Sequence, residues 1–413
     1  MKKTVWICVL IMIVFSFGCS NNFSKNDILQ SGNLIESNSS QANEITEVYI
    51  KELSTTFTAN IMLLSDGRVF SWGENQSGVL GLGDDTQNRI YDPIQVKINE
   101  PISHIVTSSQ GNTVIAIADS GNIYGWGANN YHLISSENVA FFSSPVLINF
   151  DIPVSQIRIS PLLGTISDEY GNLYGFGWTT QGPSVHFEAS ESLLSSSFSL
   201  SEILLNDDDN IIQFENSTLY RCFLNDKGNV FLQGSFVEEK VIYDGATLVP
   251  FPEKIIKIGP MYQGLVALSD SGKLYFIGED RFGIYGNDSS EYYPIYNEPV
   301  IVEKFNRPVK DLFVSSSSII VMDESGDIYT WGYNLSKNNA ESTNEIINVP
   351  NKLDYNGTIK KCFCGEFSNV IIDEDNEVYV WGSNYQNLFL NKNQESTYSP
   401  QKLSSSVFID EDK

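Results

Sequence analysis

Basic residues are scarce in this chain. Its 413 residues carry 25 Lys and Arg against 51 Asp and Glu, a formal net charge of −26 at pH 7. Binding to nucleic acid rests on cations that neutralise phosphates, and no basic cluster offsets the deficit, so nucleic acid is not an expected partner. Histidine is scarcer still: His104, His132 and His186 fall in different repeats of the pattern below. Nothing beside them has the form of an activated nucleophile or a paired base. No Gly-rich phosphate loop and no G-x-S-x-G motif occurs. Catalysis is therefore not expected, and no catalytic residue or cofactor is assigned. No metal site is assigned either. The cysteines Cys222, Cys362 and Cys364 lack C-x-x-C spacing, and the acidic runs at 207–209 and 373–375 lack a complete calcium loop. Only one apolar run is long, from Val5 to Phe17.

What the chain does have is a hairpin that recurs seven times. Its turn residue is Gly67, Gly121, Gly171, Gly228, Gly272, Gly326 and Asn376. Three residues on stands Phe or Tyr in every copy, from Phe70 to Tyr379. Six residues on stands a glycine: Gly73, Gly127, Gly177, Gly234, Gly278, Gly332 and Gly382. Before it come Trp72, Trp126, Phe176, Gln233, Ile277, Trp331 and Trp381. A two-residue turn with positive φ accounts for Gly or Asn at the origin. Six and four residues before the turn lie columns such as Ile61 and Leu63, or Val266 and Leu268; two after it lies a third, from Val69 to Val378. Spacing by two puts the first two columns on one face of a strand. The third copy, with Thr165 and Ser167, and the fourth, with Gln233, are eroded.

Successive turns lie 54, 50, 57, 44, 54 and 50 residues apart. A period near fifty fits one four-stranded propeller blade per repeat. Each unit also holds a polar loop and an extended stretch near Pro93, Pro145, Pro299, Pro350 or Pro400. Residues 66–83, DGRVFSWGENQSGVLGLG, and 325–334, SGDIYTWGYN, resemble the RCC1-repeat family, whose unit is a DG turn, a strand, WG and an N-x-x-G-x-L-G loop. The resemblance covers roughly residues 46–408 and implies an all-β, seven-bladed propeller. Residues 47–52 and 407–410 both have strand-like composition, so closure of the ring by mixing the two termini is an open expectation.

Lys2 and Lys3 precede the apolar run, which has the length of a signal-peptide core. The following Ser16-Phe17-Gly18-Cys19 resembles the end of a bacterial lipoprotein signal, in which the cysteine is diacylated and becomes the first residue. Ser16 stands where an aliphatic residue is usual, and an ordinary secretory signal is the alternative. The expected organisation is a signal over 1–18, a lipidated flexible tether over 19–43 and a propeller over 44–413. The address is the extracytoplasmic face of a bacterial cell membrane, with Cys19 carrying the lipid (palmitate among its acyl chains). Loss of Lys2 and Lys3 takes the charge from −26 to −28. Cys222 sits in a core column; Cys362 and Cys364 read as small core residues, with a long-range Cys222 bridge left open.

A rigid scaffold that binds protein or a cell-envelope ligand, basic by complementarity, is the function these observations favour, acting as a monomer. After each WG glycine the residue varies, which suggests exposed loops. Trp178 and Tyr333 there, with Tyr131 and Tyr385 nearby, are candidate partner-binding anchors. Tyr285 and Phe389 align with Leu80 and read as structural. Through the family resemblance, a β-lactamase inhibitory protein on the same propeller makes inhibition of a secreted or cell-wall enzyme the alternative. An enzyme acting on a cell-envelope polysaccharide is the second. Nucleotide exchange on a nuclear GTPase does not fit the expected compartment.

Overall fold

The computed structural model describes residues 48–83, 88–177, 201–203, 205, 210–236, 242–285, 293–334, 337–339, 344–391 and 393–403. The signal and tether, Cys19, Trp178, His186, the 207–209 run and residues 407–410 lie outside these. Seven four-stranded antiparallel sheets are present, each built from strands in sequence order. Blade 1 comprises β1 (Ile50–Thr55), β2 (Ala59–Leu64), β3 (Val69–Glu74) and β4 (Arg89–Gln95). Blades 2 to 7 span 102–148, 154–202, 211–249, 255–301, 309–352 and 359–402. This is the expected seven-bladed propeller. Among the described residues blades 1 and 7 are each one continuous stretch and share no strand; residues 407–410, on which the expected mixing of termini rests, lie outside them.

The apolar residues explain why blades must associate. They form seven clusters, and each cluster lies between two blades rather than inside one. On β2, Ile61 and Leu63 face blade 2, whereas Met62 and Leu64 face blade 7. Alternation along a strand thus gives every sheet two apolar faces, and both need a neighbour. The core columns read from the sequence fit this. Ile61, Ile115, Cys222, Val266, Ile320 and Val370 are all buried, and so are Val69, Ile123, Leu173, Val230, Leu274, Ile328 and Val378. All three described cysteines are free thiols, with Cys222 in the seam of blades 4 and 5 and Cys362 in that of blades 6 and 7.

The hairpin differs in detail from the expected two-residue turn. The Gly67 N–H donates to Leu64 O at 3.0 Å, and the Leu64 N–H donates to Arg68 O at 2.9 Å. Only Gly67 has positive φ, at 87°, whereas a two-residue type I′ turn would need Asp66 there too. The loop therefore has three residues, with glycine last. Side chains three residues before the turn glycine brace it. Asp323 Oδ1 accepts the N–H groups of Ser325 and Asp327, and Asp373 Oδ1 those of Asp375 and Glu377. The 373–375 run is thus partly a turn brace.

The WG glycine serves a second purpose. Gly73 has φ 120°, and a Cβ there would stand 2.7 Å from Thr58 O. All seven equivalents have positive φ and the same close carbonyl. The preceding tryptophan is thereby turned into the seam behind its blade. Trp126 Nε1 donates to Val79 O of blade 1, Trp331 to Ile284 O of blade 5 and Trp381 to Asn338 O of blade 6, at 2.9–3.0 Å. Trp72 Nε1 donates to Asn387 O of blade 7 at 2.9 Å and so closes the ring.

The eroded copies use other groups. In blade 4, buried Arg221 reaches back to Thr165 Oγ1, Gly164 O and Phe176 O of blade 3. Thr165 Oγ1 in turn donates to Asn216 Oδ1 at 2.8 Å, so a polar residue in a core column is satisfied by the next blade. Tyr220 donates forward to Gly264 O of blade 5 at 2.6 Å. The outermost strands end the sheets, and in five blades proline interrupts them: Pro93, Pro145, Pro299, Pro350 and Pro400. Proline on an edge blocks pairing with another chain.

Replacing Trp126 with Phe keeps a ring in the seam but leaves the buried Val79 carbonyl without its donor. The expected loss is about 1–3 kcal/mol, read from urea unfolding. Unchanged stability would show that the seam is held by apolar contact alone.

Candidate functional site

Two families of loops crowd one end of the ring. The short links between first and second strands, such as 56–58, lie beside the residue after the WG glycine: the Glu74 N–H donates to Thr58 O and the Tyr333 N–H to Ser317 O, both at 2.9 Å. The hairpin turns lie at the opposite end, against the interblade connections, as the Ile102 N–H bond to Gly67 O shows.

A side chain at the loop entrance holds each long described loop. Asn75 Oδ1 accepts the Leu80 N–H, Asn129 those of Ile134 and Ser135, Asn334 that of Asn339 and Asn384 that of Phe389. Blade 5 has Asp280 instead, 2.6 Å from the Ile284 N–H. Burial raises its carboxyl to about 6, against the backbone donors that lower it. Leu80 and Phe389 are buried, and Tyr285 packs on Tyr296 with ring centroids 4.7 Å apart, so their structural reading holds.

The candidate anchors separate. Tyr131 is 39% exposed. Tyr385 is 63% exposed but belongs to the closing seam. Its hydroxyl donates to Glu74 Oε1 at 3.0 Å, and the Arg89 guanidinium lies 3.9 Å from its ring centre. Arg89 also pairs with Glu74 and holds that carboxyl below its usual range. Tyr333 is half-buried and leans on Phe282, with centroids 5.8 Å apart, so it offers less free surface than its register suggests. Trp178 lies outside the described residues.

The short links add residues that the loop register did not select. Ten residues before each turn stand Phe57, Gly111, Pro161, Thr218, Tyr262, Ser316 and Glu366. This column never repeats a residue, a stronger form of the variation found after WG. Phe57 is 44% exposed and meets Phe367 with centroids 5.5 Å apart. Glu366 accepts from Ser316 of the neighbouring blade, and burial raises its carboxyl to about 7.

The first strands face the axis and carry a polar belt. Their third residues are Glu52, His104, Gln156, Gln213, Lys257, Asp311 and Lys361. Glu52 is fully buried; it lies 3.0 Å from His104 Nδ1 and 3.6 Å from Lys361 Nζ, and accepts the Ile105 N–H at 3.1 Å. Gln213 grips the backbone of Ile258 through both amide atoms. His104 and His132 belong to one blade, not to different ones, because the blade starts at the strand before the hairpin. They still do not form one site: His104 faces Glu52, and His132 is folded onto Ser135 O at 3.2 Å in its loop.

The family model described as "Regulator of chromosome condensation (RCC1) repeat" matches residues 66–115. The chain is an RCC1-like propeller. An RCC1 repeat-containing protein of Dictyostelium discoideum is 22% identical to this RCC1-like chain over 361 residues, covering 82% of the chain and 66% of that protein. Human RCC2 is 24% identical over 281 residues, covering 66% of the chain and 48% of RCC2. The chain thus matches about two thirds of one relative's length and half of the other's. Among solved structures, human WBSCR16 superposes with TM-score 0.68 at 17% identity over 82% of this chain and 94% of that one. Saccharomyces cerevisiae Prp20p, described with its binding to Gsp1p and histones, gives 0.67 at 17% identity over 87% and 88%. These last likenesses concern the fold.

The Asp280 position yields a pH test. A carboxyl whose folded value is raised from 3.8 to about 6 contributes stability that is complete below the unfolded value and lost as pH rises through about 6. Asparagine, present in four other blades, accepts the same N–H without a buried charge. Asp280→Asn should stabilise the protein by about 1–3 kcal/mol at pH 8 and much less at pH 4. Denaturant midpoints at the two pH values decide it, and equal shifts would remove the buried-charge explanation.

Proposed function

We propose that this protein is a membrane-anchored, extracytoplasmic lipoprotein whose propeller is a protein-binding scaffold. The loop end is its recognition face. The observation that carries this reading is the contrast within each blade. Core columns stay apolar in most copies, whereas the loop-end columns vary widely in chemistry and leave Phe57 and Tyr131 exposed. Surfaces that vary on an invariant frame suit selection of a target. Exposed aromatics supply binding energy at interfaces. The frame supports them because its loops are pinned by Asn75, Asn129, Asn334 and Asn384, so little conformational freedom is lost on binding. The RCC1-like Prp20p is described with Gsp1p and histones, and in another structure with Kap60, which supports protein binding as the general use of such a ring. The net charge of −26 favours a basic partner.

Anchoring rests on the apolar run and Cys19. Two acyl chains, at about 0.8 kcal/mol per buried CH₂, hold a soluble domain on a membrane. Cys19→Ser is expected to move the full-length chain from the membrane pellet to the soluble fraction and to abolish incorporation of labelled palmitate. Retention in the pellet without label would remove the lipid anchor. Recognition is tested by pull-down from envelope extract with the full chain, Phe57→Ala and Tyr131→Ala. Capture of a defined protein should fall at least tenfold in one variant and weaken as salt is raised. Undiminished capture by both variants would place recognition elsewhere.

A further inference from the structure

The first strands of all seven blades surround a cavity of about 190 Å³ on the ring axis, partly open to solvent. Its wall is rich in hydroxyls and amides, among them Ser54, Thr107, Ser108, Asn216, Thr218 and Ser315. Apolar surface lies between them at Val106, Ile159 and Phe363. Charges in the wall are matched. Arg158 Nε lies 3.3 Å from Glu215 Oε2, and Lys257 Nζ lies 2.5 Å from Asp311 Oδ1. An ion entering the cavity would lose its hydration without meeting an unmatched countercharge, a large cost. A neutral molecule with hydroxyl edges and C–H faces meets no such penalty, and it matches the alternation of hydroxyl and apolar wall.

The volume is several times that of one water, yet below the range of about 300–1,000 Å³ for drug-sized ligands. At the loop end the cavity is crossed by one bridge: Thr218 Oγ1 of blade 4 donates to Gln110 Oε1 of blade 2 at 2.8 Å.

We propose that this axial cavity binds a small uncharged polyhydroxy compound, of monosaccharide size or below, through its hydroxyl and amide wall. The site is separate from the aromatic loop residues and does not depend on the protein partner. The test is isothermal titration of the full-length protein with glucose, N-acetylglucosamine and glycerol, with gluconate and glucosamine as charged counterparts. Saturable binding of at least one neutral probe is expected, with the charged ones at least tenfold weaker. Ser109→Leu, at a wall position, sets an apolar side chain against the cavity and should weaken that binding at least tenfold. Thr107→Leu, at another wall position, repeats the test should the first variant not fold. No saturable binding of any neutral probe would overturn the proposal. So would equal affinity in the folded Leu variants, or equally tight binding of the charged probes. Protein capture by the loop end is read separately, so either result leaves the other standing.

Discussion

An indole N–H meeting a loop carbonyl of the blade behind it is the contact on which the molecule depends. A single four-stranded sheet with two apolar faces has nowhere to put either of them. Stacking blades solves this only if neighbours meet at a fixed offset. Trp126, Trp331 and Trp381 set that offset because each carries both a large apolar body and one donor that must be matched. The glycine behind each tryptophan is part of the same device, since its backbone brings the strand against a carbonyl that any Cβ would strike. Trp72 makes the identical bond to Asn387, 315 residues away, so closure needs no new kind of interaction.

Where the tryptophan is missing, the seam changes chemistry without changing shape. Gln233 offers no indole to the seam between blades 3 and 4, which is held instead by the Arg221 guanidinium. Gly175 leaves room for that group: a Cβ there would lie 2.9 Å from Arg221 Nη2. Burial pushes the guanidinium down to about 10, yet it has oxygens from three residues to hold it. Thr165, which breaks the apolar column in the sequence, is one of those three. The erosion of the two copies is therefore one coordinated exchange.

Most of the frame was legible in the sequence, because hairpin, aromatic and WG columns are local and repeat. What was not legible depended on distance or on one residue of register. The turn has three residues rather than two, and composition does not separate these when glycine serves both. Strand-like composition near both termini suggested a shared closing blade, but composition does not encode pairing partners, and residues 407–410 lie outside the described structure. For the candidate site, exposure of Tyr131 followed from its loop. The engagement of Tyr385 with Arg89 and Glu74 did not, because those residues are about 300 positions away. Phe57 carried a readable signal in a column that never repeats. The axial cavity and the belt from Glu52 to Lys361 arise only when seven strands converge, and no single repeat foreshadows them.

Among the described residues each blade is an uninterrupted stretch of chain, and the last seam carries the same indole bond as three of the others. The order of the blades along the polypeptide is therefore separable from their order around the ring. A chain cut between any two blades, with its old ends joined, retains every seam of the parent, in the manner of circularly permuted domains whose termini lie close together. New ends can be placed beside whichever blade is chosen, so the chain can enter the ring from seven directions while the surface at the loop end stays the same.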